Sequence, residues 1–397
     1  MKHFVFIVLI LSISSPSHSA PWWKGASTFF STKNNATDGG AVAPSNGTDP
    51  NPQLRASDFI NENVNGDAAY IGSNEFDNFD QFARLSPTAP NNTSFSRATI
   101  AVGTFRAFHL GAALRRDYLV SLDFAPGISH FNMALANVIS HYGRREFLRL
   151  VLLQDSFNAN SPEEEPQLVR QFANLRLADS AVSAEGALLA TLATPFADDA
   201  ELKFILHTLN EESHRKSFYK ALLESTKNPQ RWQASFWGNE DGYLHLQKLI
   251  RGQHFLALTG SLSGKRTVRS IAQFFTRYSI VASEIDVSNA LQSIVGAEKR
   301  DGIIAFVSNL SALPVDEKSR VLLTLNALAV DQASVPQGVA PLGRWYYRIY
   351  TVDHLKQALG AVSSSMTLST ELLRTTETRQ TSSRRKLSCE GFFKLTP

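Results

Sequence analysis

The 397-residue sequence predicts an α/β fold: a mostly parallel sheet covered by helices on both faces, with a helical block inserted after the second strand. Three observations carry this. Short apolar runs suited to strands buried on both faces recur along the chain. Helix-length apolar spacings stand between them, and the stretch from Arg144 to about Lys227 is helical throughout.

Residues 1–19 read as a secretory signal, with Lys2 and His3 ahead of an apolar run from Phe4 to Ile13 and small residues after it. That run is shorter than the roughly 20 apolar residues of a membrane-spanning helix, and no later segment supplies one. Cleavage is expected after Ser19, because a cut after Ala20 would leave Pro21 at the new terminus. The expectation is an exported protein, periplasmic or secreted, with no transmembrane segment. Residues 20–58 are rich in Ser, Thr, Asn, Gly, Ala and Pro and read as a flexible leader, with Trp22, Trp23, Phe29 and Phe30 as exceptions.

The body is expected over 59–360. Its first unit, "TIAVGTFRAFHLGAALRRDYLVSLD", places strands at Ala98–Val102 and Tyr118–Leu122 around a helix from Phe105 to Leu114. A helix with Ile128, Phe131, Leu135, Val138 and Ile139 on one side follows. In the insertion, 144–227, Ser161 can cap a helix, Pro162 suits its first position and Glu163 to Glu165 suit its positive end. Another helix is expected from Ala200 to Leu223. Alternation then resumes: helix Glu240–Ile250, strand His254–Leu258, helix Arg266–Phe275, strand Ile280–Ile285, helix Asp301–Leu310, strand Arg320–Leu325. Aromatic "RWYYRIY" and helix Asp353–Leu359 close the body, and 361–397 reads as a polar basic tail.

Composition narrows the function classes. The hydrophobic content of 43% is ample for a core, and a lone Cys389 excludes an internal disulfide. From Arg374 onward the tail holds six Arg or Lys against two Glu, a surplus larger than the whole chain's net +3. The body is therefore close to neutral, and no nucleic-acid partner is expected.

In a doubly wound sheet, ligands collect beyond the carboxyl ends of the strands, where strand order reverses. The residues standing there are Gly103 and Thr104 after the first strand and Asp123 after the second. Gly260, Ser261 and Leu262 follow the third strand, and Asp286, Ser288 and Asn289 the fourth. A glycine lets a ligand approach the backbone, and an acid can accept ribose hydroxyls; an Asp that merely caps a turn is just as common.

The stretches "YIGSNEFDNFDQF", "IAVGTFRAF" to "LVSLDFAPGISHFNMAL", "FWGNEDGYLHLQKLI", "TGSLSGKRTVRSIA", "DVSN", "LPVDEKSRVLLTL" and "GRWYYRIYTVDHLKQAL" resemble, in the same order, a poorly characterised bacterial family with the class I S-adenosylmethionine methyltransferase-like fold. The resemblance covers roughly 60–360. It implies a Rossmann-like sheet, with Gly103 and Asp123 matching cofactor-side positions and Ser288 and Asn289 matching a substrate-side pair after the fourth strand. Position after the strands adds Thr104, Gly260, Ser261 and Leu262 to the cofactor side and Asp286 to the substrate side, and the element order sets the helical insertion beside them as a lid. Three positions depart from it. Ser261 stands where such proteins commonly carry an acid, and Phe105 and Arg106 are bulky enough to close the pocket.

Other constellations are weaker. His207, Glu211 and His214 fall at a spacing that can put three metal ligands on one helical face, but a solvated polar face explains them as well, and no metal is expected. No G-x-S-x-G elbow follows a strand, and "TGSLSGKR" lacks phosphate-loop spacing and reads as a surface turn. His130 and His141 read as packing or surface residues, and part of Arg344 to Arg348 as a possible cleft lining. Asn35, Asn46, Asn91, Asn92 and Asn309 begin glycosylation sequons.

Two functions from different classes remain. One is an S-adenosylmethionine-dependent methyltransferase acting on a small molecule or protein. The other is a non-enzymatic periplasmic or secreted binding protein that reuses the fold without the cofactor. The export signal sets them against each other, since S-adenosylmethionine is made inside cells and reaches an exported enzyme only on delivery into another cell.

Overall fold

Apolar runs become strands where both faces can be covered, and the central strands meet that condition. The structure is a computed structural model, which describes residues 51–62, 78–83, 85, 95–159, 161–192, 198–327, 335, 341, 345–360 and 372. The expected signal segment, the leader before residue 51, and the tail apart from Leu372 lie outside the described residues, as does Arg344.

The strands are β1 (Ser96–Val102), β2 (Tyr118–Asp123), β3 (Phe255–Thr259), β4 (Ile280–Ser288), β5 (Arg320–Asn326) and β6 (Trp345–Thr351). They form one sheet in the order β3-β2-β1-β4-β5-β6. The first five pair in parallel; β6 runs antiparallel to β5. Every residue of β2 is buried, as a doubly covered parallel strand requires. Since β1 sits between β2 and β4, strand order reverses at the β1/β4 boundary.

The helices in chain order begin with α1 (Asn78–Ala83), α2 (Arg106–Leu114), α3 (Pro126–His141) and α4 (Arg144–Val151). Next come α5 (Glu165–Ala178), α6 (Ala181–Leu192), α7 (Ala200–Asn210), α8 (Glu212–Ser225) and α9 (Pro229–Gln233). The last are α10 (Glu240–Arg251), α11 (Thr267–Arg277), α12 (Ala290–Ala312) and α13 (Val352–Gly360). One face of the sheet, with Ile100, Val120, Ile285 and Val321, packs on Ile271, Phe306 and Leu355 of α11, α12 and α13. The other face meets α2 and α3, with α10 against both. Helices α4 and α7 of the inserted block pack on α3, and Arg144, paired with Glu165 within the block, joins it to the body through Glu240 and the Trp237 carbonyl.

Several boundaries differ from expectation for identifiable reasons. The helix expected from Ala200 to Leu223 is two helices, because Glu211 turns extended (φ −59°, ψ 135°) between α7 and α8. Helix α12 starts at Ala290, not Asp301, directly after the β4 turn. Ser161 caps only an entry turn, accepting from the Glu164 N–H at 3.4 Å, and α5 begins at Glu165, whose carboxylate is buried against Arg144. The core reaches beyond 59–360, taking in Leu54 upstream and Leu372 downstream, whose carbonyl accepts the Tyr350 hydroxyl. Asn309 is buried and donates to the Leu262 and Gly264 carbonyls, so its sequon is closed in the fold.

The segment Leu54 to Glu62 lies along the outer side of β3. The Leu54 N–H donates to the Gln253 carbonyl, the Glu62 N–H to the Thr259 carbonyl, and the Thr259 N–H to the Asn61 side chain. Glu62 also accepts from the Lys265 and Arg266 N–H groups ahead of α11.

Gly238 is required by close approach: a Cβ there would lie 2.1 Å from the Trp232 carbonyl oxygen. Gly238→Ala is expected to lower unfolding free energy by about 2–3 kcal/mol through overpacking. Gly143→Ala, which meets nothing within 4 Å but caps α4, should cost no more than about 1 kcal/mol. Urea denaturation of both variants checks the contrast; equal midpoints would remove it.

Candidate functional site

The carboxyl ends of β1, β2 and β4 converge at the strand-order reversal, and the sequence-predicted residues there do meet. Gly103 follows β1 at φ +89°, a conformation that favours glycine. Its N–H donates to Asp123 Oδ2 at 3.0 Å. Asp123 Oδ1 accepts from the Ala125 N–H at 2.9 Å, so the acid that ends β2 also turns its own chain. On the α3 side, the Asn132 amide donates to the Gly103 carbonyl (3.0 Å) and to the Ser121 hydroxyl (2.7 Å).

Asp286 has the same role at the end of β4. Its Oδ1 accepts from the Ser288 N–H at 2.9 Å, and Ser288 sits at φ +50° beside a register shift in the β4–β5 ladder. Asp286 also accepts two bonds from Arg106, at 2.6 Å from Nε and 2.7 Å from Nη2. The pair is buried, at 4% exposure for the Arg side chain and 0% for the Asp. It spans the β1/β4 boundary, where a ligand of a doubly wound sheet would enter.

Aromatic side chains close in around this pair. The Arg106 guanidinium lies 5.3 Å from the centre of the Phe82 ring, which α1 supplies. Phe105 packs against Phe131, Phe218 and Trp237, bringing α3, α8 and the α9–α10 turn together. His109 stands among Phe79, Phe236 and Trp237 and accepts the Phe236 N–H at 3.3 Å on Nδ1. Burial, and then the charge of Arg106, hold its pKa well below the usual histidine value, so the ring is neutral.

The remaining predicted residues divide. Thr104 is buried in the β1–α2 turn. The Gly260 N–H donates to the Asp123 carbonyl and extends the β2–β3 ladder. Ser261 bonds Ser263 at 2.8 Å. Leu262, expected on the cofactor side, is instead buried in the core on the α11–α12 face, because the turn after β3 folds its one apolar residue inward. Asn289 is half-buried and precedes α12 without a side-chain cap bond.

His207, Glu211 and His214 do not share one helical face, since the chain breaks at Glu211; His214 Nδ1 lies 3.3 Å from the Thr208 carbonyl and 3.4 Å from Glu211 Oε2. Among the described residues, no group of three His, Cys, Asp or Glu side chains is placed to hold a metal ion.

Sequence reasoning missed Asn132 and a second buried pair, in which Arg116 donates to Glu284 at 2.9 and 2.5 Å. No local pattern marks either. A nucleoside cofactor needs acceptors for two ribose hydroxyls and backbone access at Gly103. Each Asp123 oxygen already accepts one backbone N–H and keeps a lone pair for a further donor, while the first turn of α2 carries the buried Arg106 fork across the β1/β4 boundary.

A protein-family model described as a domain of unknown function (DUF7790) matches residues 70–389. No curated protein matches the chain.

Burial outweighs the backbone N–H groups around Asp123 and pushes its pKa up to about 6 from 3.8. The folded state thus holds a proton that the unfolded chain releases near pH 4. This contribution is fully present below about pH 4 and is lost as pH rises through about 6, with a magnitude of about 3 kcal/mol. Relative to Asp123→Asn, wild-type stability should fall by about that amount between pH 4 and pH 7 in chemical denaturation; a flat difference contradicts the assignment.

Proposed function

The chain belongs to the DUF7790 family, and on that premise we propose that it is an exported binding protein that keeps the doubly wound sheet and does without S-adenosylmethionine. The observation that carries this reading is the Arg106–Asp286 fork, which fills the strand-order reversal with the chain's own buried charges. Asp123 supports it, since its carboxylate ties β1 to β2 and to its own turn. In this reading the block α4–α8 is a body-attached domain that presents binding surface, and the crevice is a structural joint.

A second reading, the methyltransferase-like enzyme with the block as its lid, has a specific observation in its favour. The order β3-β2-β1-β4-β5 brings Gly103, Asp123, Asp286 and Ser288 to one edge, where the resemblance implies cofactor and substrate contacts. It requires Arg106 and Phe105 to move aside when the cofactor binds.

Calorimetric titration of the full chain with S-adenosylmethionine and S-adenosylhomocysteine separates the two. No heat is expected with either ligand. Micromolar binding that Asp123→Ala abolishes would overturn the first reading in favour of the second. Export is checked independently: expression in a bacterial host should yield a periplasmic or secreted protein beginning at Ala20. A cytosolic product with an intact Met1 terminus opposes it.

A further inference from the structure

A second cluster of buried charge lies inside the helical block, away from the sheet. Arg215, on the first turn of α8, is 3% exposed. Its Nε and Nη1 are buried and meet no hydrogen-bond acceptor, and among the described residues no carboxylate forms an ion pair with it. Glu212, one turn earlier, is exposed and paired with Lys216. Arg176, on the facing helix α5, is also buried; its Nη1 pairs with Asp179 at 2.5 Å while its Nε has no partner. Arg176 hydrogen-bonds the Tyr219 hydroxyl and Arg215 acts on it through charge alone; that hydroxyl donates to the Val151 carbonyl at 2.5 Å. At the α7–α8 junction the Thr208 hydroxyl is buried without a partner as well.

A guanidinium cannot shed its proton at any physiological pH, so burial cannot be relieved by neutralisation. Arg176 has Asp179 in contact, whereas Arg215 touches no carboxylate among the described residues; Glu212, which acts on it from a distance, is exposed and shared with Lys216, so the buried charge lacks a contact partner. An ordered water satisfies an N–H group but leaves that charge unbalanced. The group that satisfies both is an anion with two oxygens in one plane, matched to the guanidinium fork. We propose that the interior of the helical block binds a small oxyanion group, a phosphate or a carboxylate, on Arg215 with Arg176 beside it. This site is separate from the β1/β4 joint and does not depend on which reading of that joint holds.

The test titrates the full chain with inorganic phosphate and, separately, with acetate, each at fixed ionic strength with chloride as balance. Saturable binding at one site is expected for at least one anion, and which one responds identifies the source of the oxygens. At a hundred times the dissociation constant the melting temperature should rise by about 4 °C. Arg215→Met should weaken binding at least about tenfold while retaining the far-ultraviolet circular dichroism of the parent. If that variant does not fold, Arg215→Lys, which keeps the charge and loses the fork, should show the same weakening. Two results overturn the proposal: no saturable binding of either anion to the parent chain, or binding unchanged by the Arg215 substitution that folds.

Discussion

Helix α2 is fastened to β4 by two buried forks, and the rest of the molecule is arranged around that fastening. Asp286 and Glu284 stand two residues apart on β4 and so share a face of the sheet, opposite Ile285 and Val287. Arg106 opens α2 and takes the first acid; Arg116 lies just beyond its end and takes the second. An ion pair of this kind is costly to bury and costlier still to break from one side, where losing a partner typically costs about 3–5 kcal/mol. Its contribution is chiefly register: an apolar helix can slide on an apolar sheet, whereas one anchored by a fork at each end cannot.

That anchoring explains why the crevice of this sheet looks as it does. The acids ending β2 and β4 accept from the N–H two residues further on, and each then reaches across to the β1–α2 connection. Aromatic rings from α1, α3, α8 and the α9–α10 turn fill the space beyond, with neutral His109 among them. Polar and apolar packing therefore converge on one joint. The inserted block reaches it too, through Phe218, so the block and the sheet share part of a core.

Much of this was legible in the sequence, and the illegible part has a physical pattern. Strand positions can be read because β1, β2 and β4 are short, largely buried runs rich in Ile, Val, Leu and Ala, and the residues after them can be placed because a strand's end is a local feature. Partner choice is not local: Arg106 and Asp286 are 180 residues apart, and the bulk of Arg106 suggested a closed pocket without showing what closes it. The reversed direction of β6 left no mark on its aromatic run. The break between α7 and α8 was hidden because buried Leu206, Leu209, Phe218 and Leu222 carry the apolar pattern across Glu211. For Leu262 the position after β3 points to the cleft, whereas its apolar side chain follows the core.

The strip from Leu54 to Glu62 lies beside β3, the outermost parallel strand. An uncovered apolar strand edge is a template for pairing with another copy. Here it is masked by residues that run from the end of the polar leader into the first residues of the body. Colloidal behaviour is thereby tied to where the chain is trimmed: a cut upstream of Leu54 would leave this edge covered, and one after Glu62 would uncover it.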